Sequence, residues 1–153
     1  MVNYTPKTAK DSKEAAAEET LVIVKKVAST SFLRIGPETT IVDAQTELIS
    51  HGLPGSPIID ETGKAIGFLS ERDCLAHVIQ MKYHNDMSSH VSDIMSKTCV
   101  TINENDNIMK AIEIFSEKSF QILPVVNHDD KVVGLLSRQS VFRYIVRLKQ
   151  QSW

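Results

Sequence analysis

The chain has 153 residues, 42% apolar and 24% charged. That is close to average globular composition and enough for one moderate core, which excludes disorder as the main state. Lysine and arginine number 17 against 19 acidic residues, a formal charge of −2, so the basic footprint of a phosphate-backbone binder is missing and no nucleic-acid partner is expected.

In chain order, Met1 to Ser12 reads as a polar tail without the apolar stretch of a signal peptide. Lys13 to Val27, with Ala15-Ala16-Ala17-Glu18-Glu19, is rich in helix formers and is predicted as a helix. The longest purely aliphatic run, Leu21 to Val24, falls far short of the roughly 20 residues that span a bilayer. We therefore expect a soluble, cytoplasmic protein with no membrane partner.

Phe32 to Ile35 reads as a short strand, and Gly36-Pro37-Glu38 as a turn. Thr39 or Thr40 can cap the following helix, whose Ile41, Ala44 and Leu48 share one face. Pro57-Ile58-Ile59, the polar turn Asp60-Glu61-Thr62-Gly63 and the run Ala65 to Leu69 make a hairpin signal. A second helix, Arg72 to about Tyr83, places Leu75, Val78 and Ile79 on its expected inner face.

The same order then recurs. Strand Cys99 to Ile102 leads through Asn103-Glu104-Asn105 to a helix capped by Asp106 or Asn107, with Ile108, Ala111, Ile112 and Phe115 on one face. Pro124-Val125-Val126, Asn127-His128-Asp129-Asp130 and Lys131 to Leu136 form the second hairpin. A closing helix runs from Gln139 to about Leu148, with Val141, Phe142 and Ile145 inward. At one constant offset Ile35 aligns with Ile102, Ile41 with Ile108, Pro57 with Pro124, Gly67 with Gly134 and Ser70 with Ser137, without a gap. Such self-similarity marks two copies of one supersecondary unit. The expected division is 1–26 tail and helix, 27–84 first unit, 85–90 connection and 91–150 second unit. A unit of about sixty residues buries little apolar surface alone, so the copies should fold against each other.

This pattern resembles a tandem pair of cystathionine β-synthase (CBS) domains, a Bateman module. The resemblance rests on Val91-Ser92-Asp93-Ile94-Met95-Ser96, the Pro-apolar-apolar-Asp/Asn runs at Pro57 and Pro124, and above all Gly67-Phe68-Leu69-Ser70-Glu71-Arg72-Asp73. It implies an α/β (α+β) fold in which two β-α-β-β-α units pack sheet to sheet about a pseudo-twofold axis. It also implies two clefts suited to adenine-containing ligands such as AMP, ADP, ATP or S-adenosylmethionine, and a regulatory role that reports occupancy to a partner protein.

The chemistry of Ser70-x-x-Asp73 agrees with that role. A carboxylate can accept both hydroxyl hydrogens of a ribose diol, while a hydroxyl at a helix start and Arg72 beside it can meet a phosphate. Ser-x-x-Asp before a helix is also an ordinary capping arrangement, and one hydroxyl can do both. By resemblance, the adenine in this cleft is held by the opposite copy, through backbone near Thr98 and Val100 and through Gln121 and Ile122. A weaker cleft would use Leu33, Pro54 and Gly55 with Ser137, Arg138 and Ser140, because Ser140 stands where the family acid would be and a neutral hydroxyl is the poorer diol acceptor.

The remaining signals read blandly. Cys74 and Cys99 make neither a disulfide framework nor a C-x-x-C motif and are expected as buried, reduced thiols. His77, His84 and His90 lack zinc-ligand spacing and read as solvated; Met81, Met87, Met95 and Met109 read as core or cleft filling. Trp153 can pack onto a partner or stand exposed. No nucleophile with a base, metal cluster or phosphate-cradling glycine loop appears, so neither catalysis, a cofactor nor a metal is expected. Apolar helix residues such as Ile79, Phe142 and Ile145 exceed what one small module covers, which points to an isologous homodimer. The alternative to ligand sensing is a structural or protein-interaction dimer with empty clefts.

Overall fold

The computed structural model describes residues 22–151. The expected tail, most of the helix placed over Lys13 to Val27, and Trp153 lie outside them. Among the described residues the strands are β1 (Gly55–Ile59), β2 (Ala65–Ser70), β3 (Ile102–Asn103), β4 (Ile122–Val126) and β5 (Val132–Ser137). The α-helices are α1 (Ile41–Ser50), α2 (Glu71–His84), α3 (Val91–Ile94), α4 (Ile108–Glu117) and α5 (Arg138–Gln151). β1 and β2 form an antiparallel pair, while β3 joins β4 in parallel and β4 pairs with β5 antiparallel. In the first unit the leading strand is reduced to a single bridge, Ile35 to Ile58.

Local chemistry repeats with the sequence. Thr40 caps α1 by accepting from the Asp43 amide at 3.1 Å, and Asn107 caps α4 by accepting from the Met109 amide at 2.8 Å. Both hairpins break register at the same place, between Ile58 and Ile59 and between Val125 and Val126. In the first hairpin turn Asp60 Oδ1 accepts the Thr62 and Lys64 amides, and bonds from the Thr62 hydroxyl and these amides hold its carboxyl below the usual range. Asn127 Oδ1 does the same for Asp129 and Lys131. Each turn needs a left-handed residue, supplied by Gly63 (φ 90°) and by Asp130 (φ 62°), the second tolerable because a short polar side chain tolerates that region.

Each unit has its own core. Ile58 and Leu69 are fully buried in the first, and Leu123 and Leu136 in the second, each worth about 1.5–3 kcal/mol against exposure. A third cluster joins the sheets: Ile59 of β1 packs with Val126 of β4 and Val132 of β5. This is the sheet-to-sheet contact the resemblance implied.

The arms that lead into each unit cross over. Residues 22–27, placed at the end of the predicted N-terminal helix, instead form a bridge from Ile23 to Asn107 and a 3-10 turn at Val24–Lys26. Val24 sits wholly buried in the second unit's core, where its amide donates to the Asp106 carbonyl at 2.8 Å. The helix formers that prompted that expectation, Ala15 to Glu19, lie earlier in the chain, whereas β-branched Val22, Ile23 and Val24 suit an extended arm that the second core buries at Val24. The equivalent arm before the second unit, through Val91, enters the first core. Ser29 pairs with Leu135 and Ser96 with Phe68, each by two backbone bonds.

Two expectations about α2 are corrected. Leu75, Val78 and Ile79 are exposed, and the helix buries Cys74 and His77 instead. Phe142 of α5 is likewise exposed beside buried Val141. Periodicity marks an apolar stripe without saying which neighbour covers it. His77, expected in solvent, is buried; its Nδ1 lies 3.8 Å from Asp86 Oδ2 and makes no hydrogen bond among the described residues. Met81 and Met87 are exposed, while Met95 packs against the first core.

Candidate functional site

α2 starts at Glu71 because Ser70 closes β2 with an extended backbone and a hydroxyl suited to capping. Ser70 Oγ accepts from the Asp73 amide at 3.1 Å, and the Ser70 amide donates back to Asp73 Oδ2 at 2.9 Å. The Ser70 hydroxyl also donates to Asp73 Oδ2 at 2.9 Å. The capping box is complete, and the half-buried carboxylate is held rigidly at the helix start.

That helix start opens into a cavity of about 560 Å³ between the two units, within the roughly 300–1,000 Å³ usual for small-molecule sites. From the first unit come Ser70, Arg72 and Asp73; from the second come Thr98, Val100, Gln121 and Ile122. All seven residues assigned to the better cleft therefore share one wall-to-wall space. Pro54 and Gly55, read as parts of the weaker cleft, also line this cavity. The reason is register: Gly55 stands opposite Ser70 in the β1–β2 pair, and the Glu71 amide donates to the Pro54 carbonyl at 3.0 Å.

Sequence reasoning missed Phe68, Glu71, Leu75, Ser96, Cys99, Ser119 and Phe120, which complete the lining. Glu71 and Cys99 were legible in principle as immediate neighbours of assigned residues. Phe68 and Ser96 meet only because the crossing arm pairs with β2. Cys99 is only partly buried, against expectation, yet desolvation pushes its thiol up to about 11, so it stays protonated at neutral pH. Cys74 is buried and its thiol is also raised, chiefly by desolvation.

The residues read as a second, weaker cleft are arranged differently. Ser140 donates its amide to Ser137 Oγ at 3.0 Å, and its hydroxyl folds back onto the Ser137 carbonyl at 2.8 Å. The Arg138 amide donates to the Gln121 carbonyl at 2.9 Å, matching the Glu71–Pro54 bond of the first unit. Leu33 packs against the first core. Among the described residues no cluster of three or more His, Cys, Asp or Glu side chains could hold a metal ion, and no helix is long and apolar enough to cross a membrane.

Comparison with known proteins places these features in a family. The CBS domain family matches residues 24–80 and again 91–147. The chain belongs to the CBS-domain family. Its first match begins at Val24, so it includes the crossing arm. The chain is 28% identical over 114 residues to the uncharacterized protein MJ1404 of Methanocaldococcus jannaschii, covering 74% of this chain and 27% of that one. It is 25% identical over 123 residues to an uncharacterized 17.7 kDa protein of Acidianus ambivalens, covering 80% of this chain and 73% of that one. Among solved structures, CBSX2 from Arabidopsis thaliana, crystallised in complex with AMP, superposes with a TM-score of 0.73 at 26% identity, covering 83% of this chain and 98% of that one. The chain thus spans about a quarter of one relative and nearly all of the solved CBS pair.

Proposed function

We propose that this CBS pair is a regulatory sensor that binds an adenosine-type ligand in the cavity between its units and reports occupancy to a partner protein. The observation that carries the reading is the meeting, in one cavity, of the rigid Asp73 carboxylate from one unit with Thr98, Val100, Gln121 and Ile122 from the other. In this reading Asp73 accepts the ribose diol, Arg72 meets a phosphate, and the second unit's backbone holds the adenine. The AMP complex of CBSX2, at 26% identity, supports the ligand class.

The module acts by binding and not by catalysis. A match at 30% identity to inosine-5'-monophosphate dehydrogenase of Thermoplasma acidophilum covers 84% of this chain but only 24% of that enzyme. Two free cysteines suit a reducing compartment, and we assign the cytoplasm.

A thermal-shift panel of AMP, ADP, ATP, S-adenosylmethionine and NAD tests the reading, since binding to the native state raises the melting temperature by mass action. At least one adenosine compound should shift wild type and shift Asp73→Ala distinctly less at the same concentration. No shift from any would favour the second reading, a dimerisation module with empty clefts.

That second reading draws on the exposed apolar stripes. Leu75 and Ile79 of α2 and Phe142 and Val146 of α5 occupy equivalent places in the repeat and face solvent. We assign them to an isologous homodimer, which also serves the sensor reading. Sedimentation at micromolar concentration should show a dimer that Leu75→Glu with Phe142→Glu converts to monomer; a monomeric wild type would sink the assignment.

A further inference from the structure

Taking the cavity as an adenosine site, we infer that its ligand carries at most one phosphate at the ribose 5' position: an adenosine with a neutral, cationic or monophosphate substituent, and not a di- or triphosphate. Size does not decide this, because about 560 Å³ has room for either. Charge does. Among the described residues, the charged side chains in the lining are one cation, Arg72, and two carboxylates, Glu71 and Asp73. The rest of the wall is hydroxyl, thiol, amide or apolar.

The backbone adds little for further phosphates. A helix N-terminus binds anions through its unpaired amides, yet at α2 the Glu71 amide is taken by the Pro54 carbonyl and the Asp73 amide by Ser70 Oγ, which leaves the Arg72 amide, beside its own guanidinium, for a single phosphate group. The Ser70 amide is taken by Asp73 Oδ2. Glu71 and Asp73 in the first turn also offset the positive end of the helix dipole. A monophosphate, at roughly −1.5 to −2 near neutral pH, finds Arg72. Each added phosphate finds no second cation in the described lining, and with Asp73 given to the ribose, Glu71 is the charged group that repels it. At Glu71's place in the repeat the second unit carries Arg138, and its helix α5 has no acid in the first turn. Exclusion of polyphosphates is therefore a property of this cavity and not of the repeat.

Calorimetric titration of the whole chain with adenosine, 5'-methylthioadenosine, AMP, ADP and ATP, with and without magnesium, tests the inference at the site that Asp73→Ala weakens. AMP or an uncharged adenosine should bind at least about tenfold more tightly than ATP, and Glu71→Gln, at an exposed position, should narrow the ratio at least threefold. ATP matching AMP at that site, or a ratio unmoved by Glu71→Gln, overturns it. Silence from every adenosine compound fails the adenosine reading itself and takes the inference with it.

Discussion

The starts of α2 and α5 are the same structure with different chemistry. Both follow a strand-ending serine, both close with a bond from the third helical residue's amide to that serine's hydroxyl, and both tie the first helical amide to a carbonyl ahead of a hairpin. In the first unit the third residue is Asp73, whose Oδ2 alone takes both bonds from Ser70, so the carboxylate keeps a second oxygen for a ligand. In the second unit it is Ser140, whose one oxygen accepts from the Ser137 hydroxyl at 3.0 Å and donates to the Ser137 carbonyl. A duplicated scaffold thus preserves the cap with either residue, because capping needs only an acceptor at the right place. Ligand binding needs spare acceptor capacity and charge, and those have been kept on one side.

The largest expected effect breaks that contrast at its strong end. Asp73→Ala should weaken the best adenosine ligand by about 1.5–3 kcal/mol, as for a lost hydrogen bond to a charged group, while costing the fold about 1 kcal/mol through the cap. Ser140→Ala should leave that ligand's affinity unchanged. Paired titrations and melting curves separate the two, and equal ligand binding by wild type and Asp73→Ala would leave Asp73 with the cap alone.

Next in size is a test of whether the crossing arms are as equivalent as the caps. A Cβ on Gly67 would lie 2.7 Å from the Ser96 carbonyl oxygen, and one on Gly134 would lie 2.7 Å from that of Ser29. Backbone cannot swing aside as a side-chain end can, so Gly67→Ala and Gly134→Ala should each cost roughly 1–3 kcal/mol. Urea midpoints would show it; a large loss for one and none for the other would mean that one arm is docked loosely.

The smallest effect sharpens the weak end. Ser140→Asp should let the Ser137 amide find a carboxylate, as Ser70 does, and favour α5 by about 0.3–1 kcal/mol through its dipole, with Arg138 offsetting the new charge. A second, weaker binding event should appear in calorimetry. Its absence in a protein whose first site binds well would show that the acid alone does not make the second cleft a site.

How much of this was legible depends on how local the cause is. The caps, the paired hairpin turns and the helix starts at Ser70 and Ser137 are set within four or five residues and were readable as patterns, the choice of Thr40 over Thr39 and of Asn107 over Asp106 being left to the structure. The two-unit architecture was readable because a constant offset survives in Ile35, Pro57, Gly67 and their partners, and duplicated sequence folds into duplicated structure. The seven residues of the better cleft were named through family resemblance, and the cavity that joins them depends on how two units meet.

Tertiary structure alone decided the rest. The arm at Val22–Ser29 mixes β-branched Val22, Ile23, Val24 and Val27 with helix-forming Lys25, Lys26 and Ala28, and its fate was settled by the apolar pocket that the second unit offers Val24. Pro54 and Gly55 joined Asp73 because hairpin register places residue 55 opposite residue 70. Leu75 and Phe142 were apolar at helical spacing, yet spacing measures only which residues share a face; whether that face meets core, cavity or solvent is a property of neighbours distant in sequence. Sequence by itself determined the units, their caps and the charge difference between Asp73 and Ser140. Packing between the units decided which of those groups share a space.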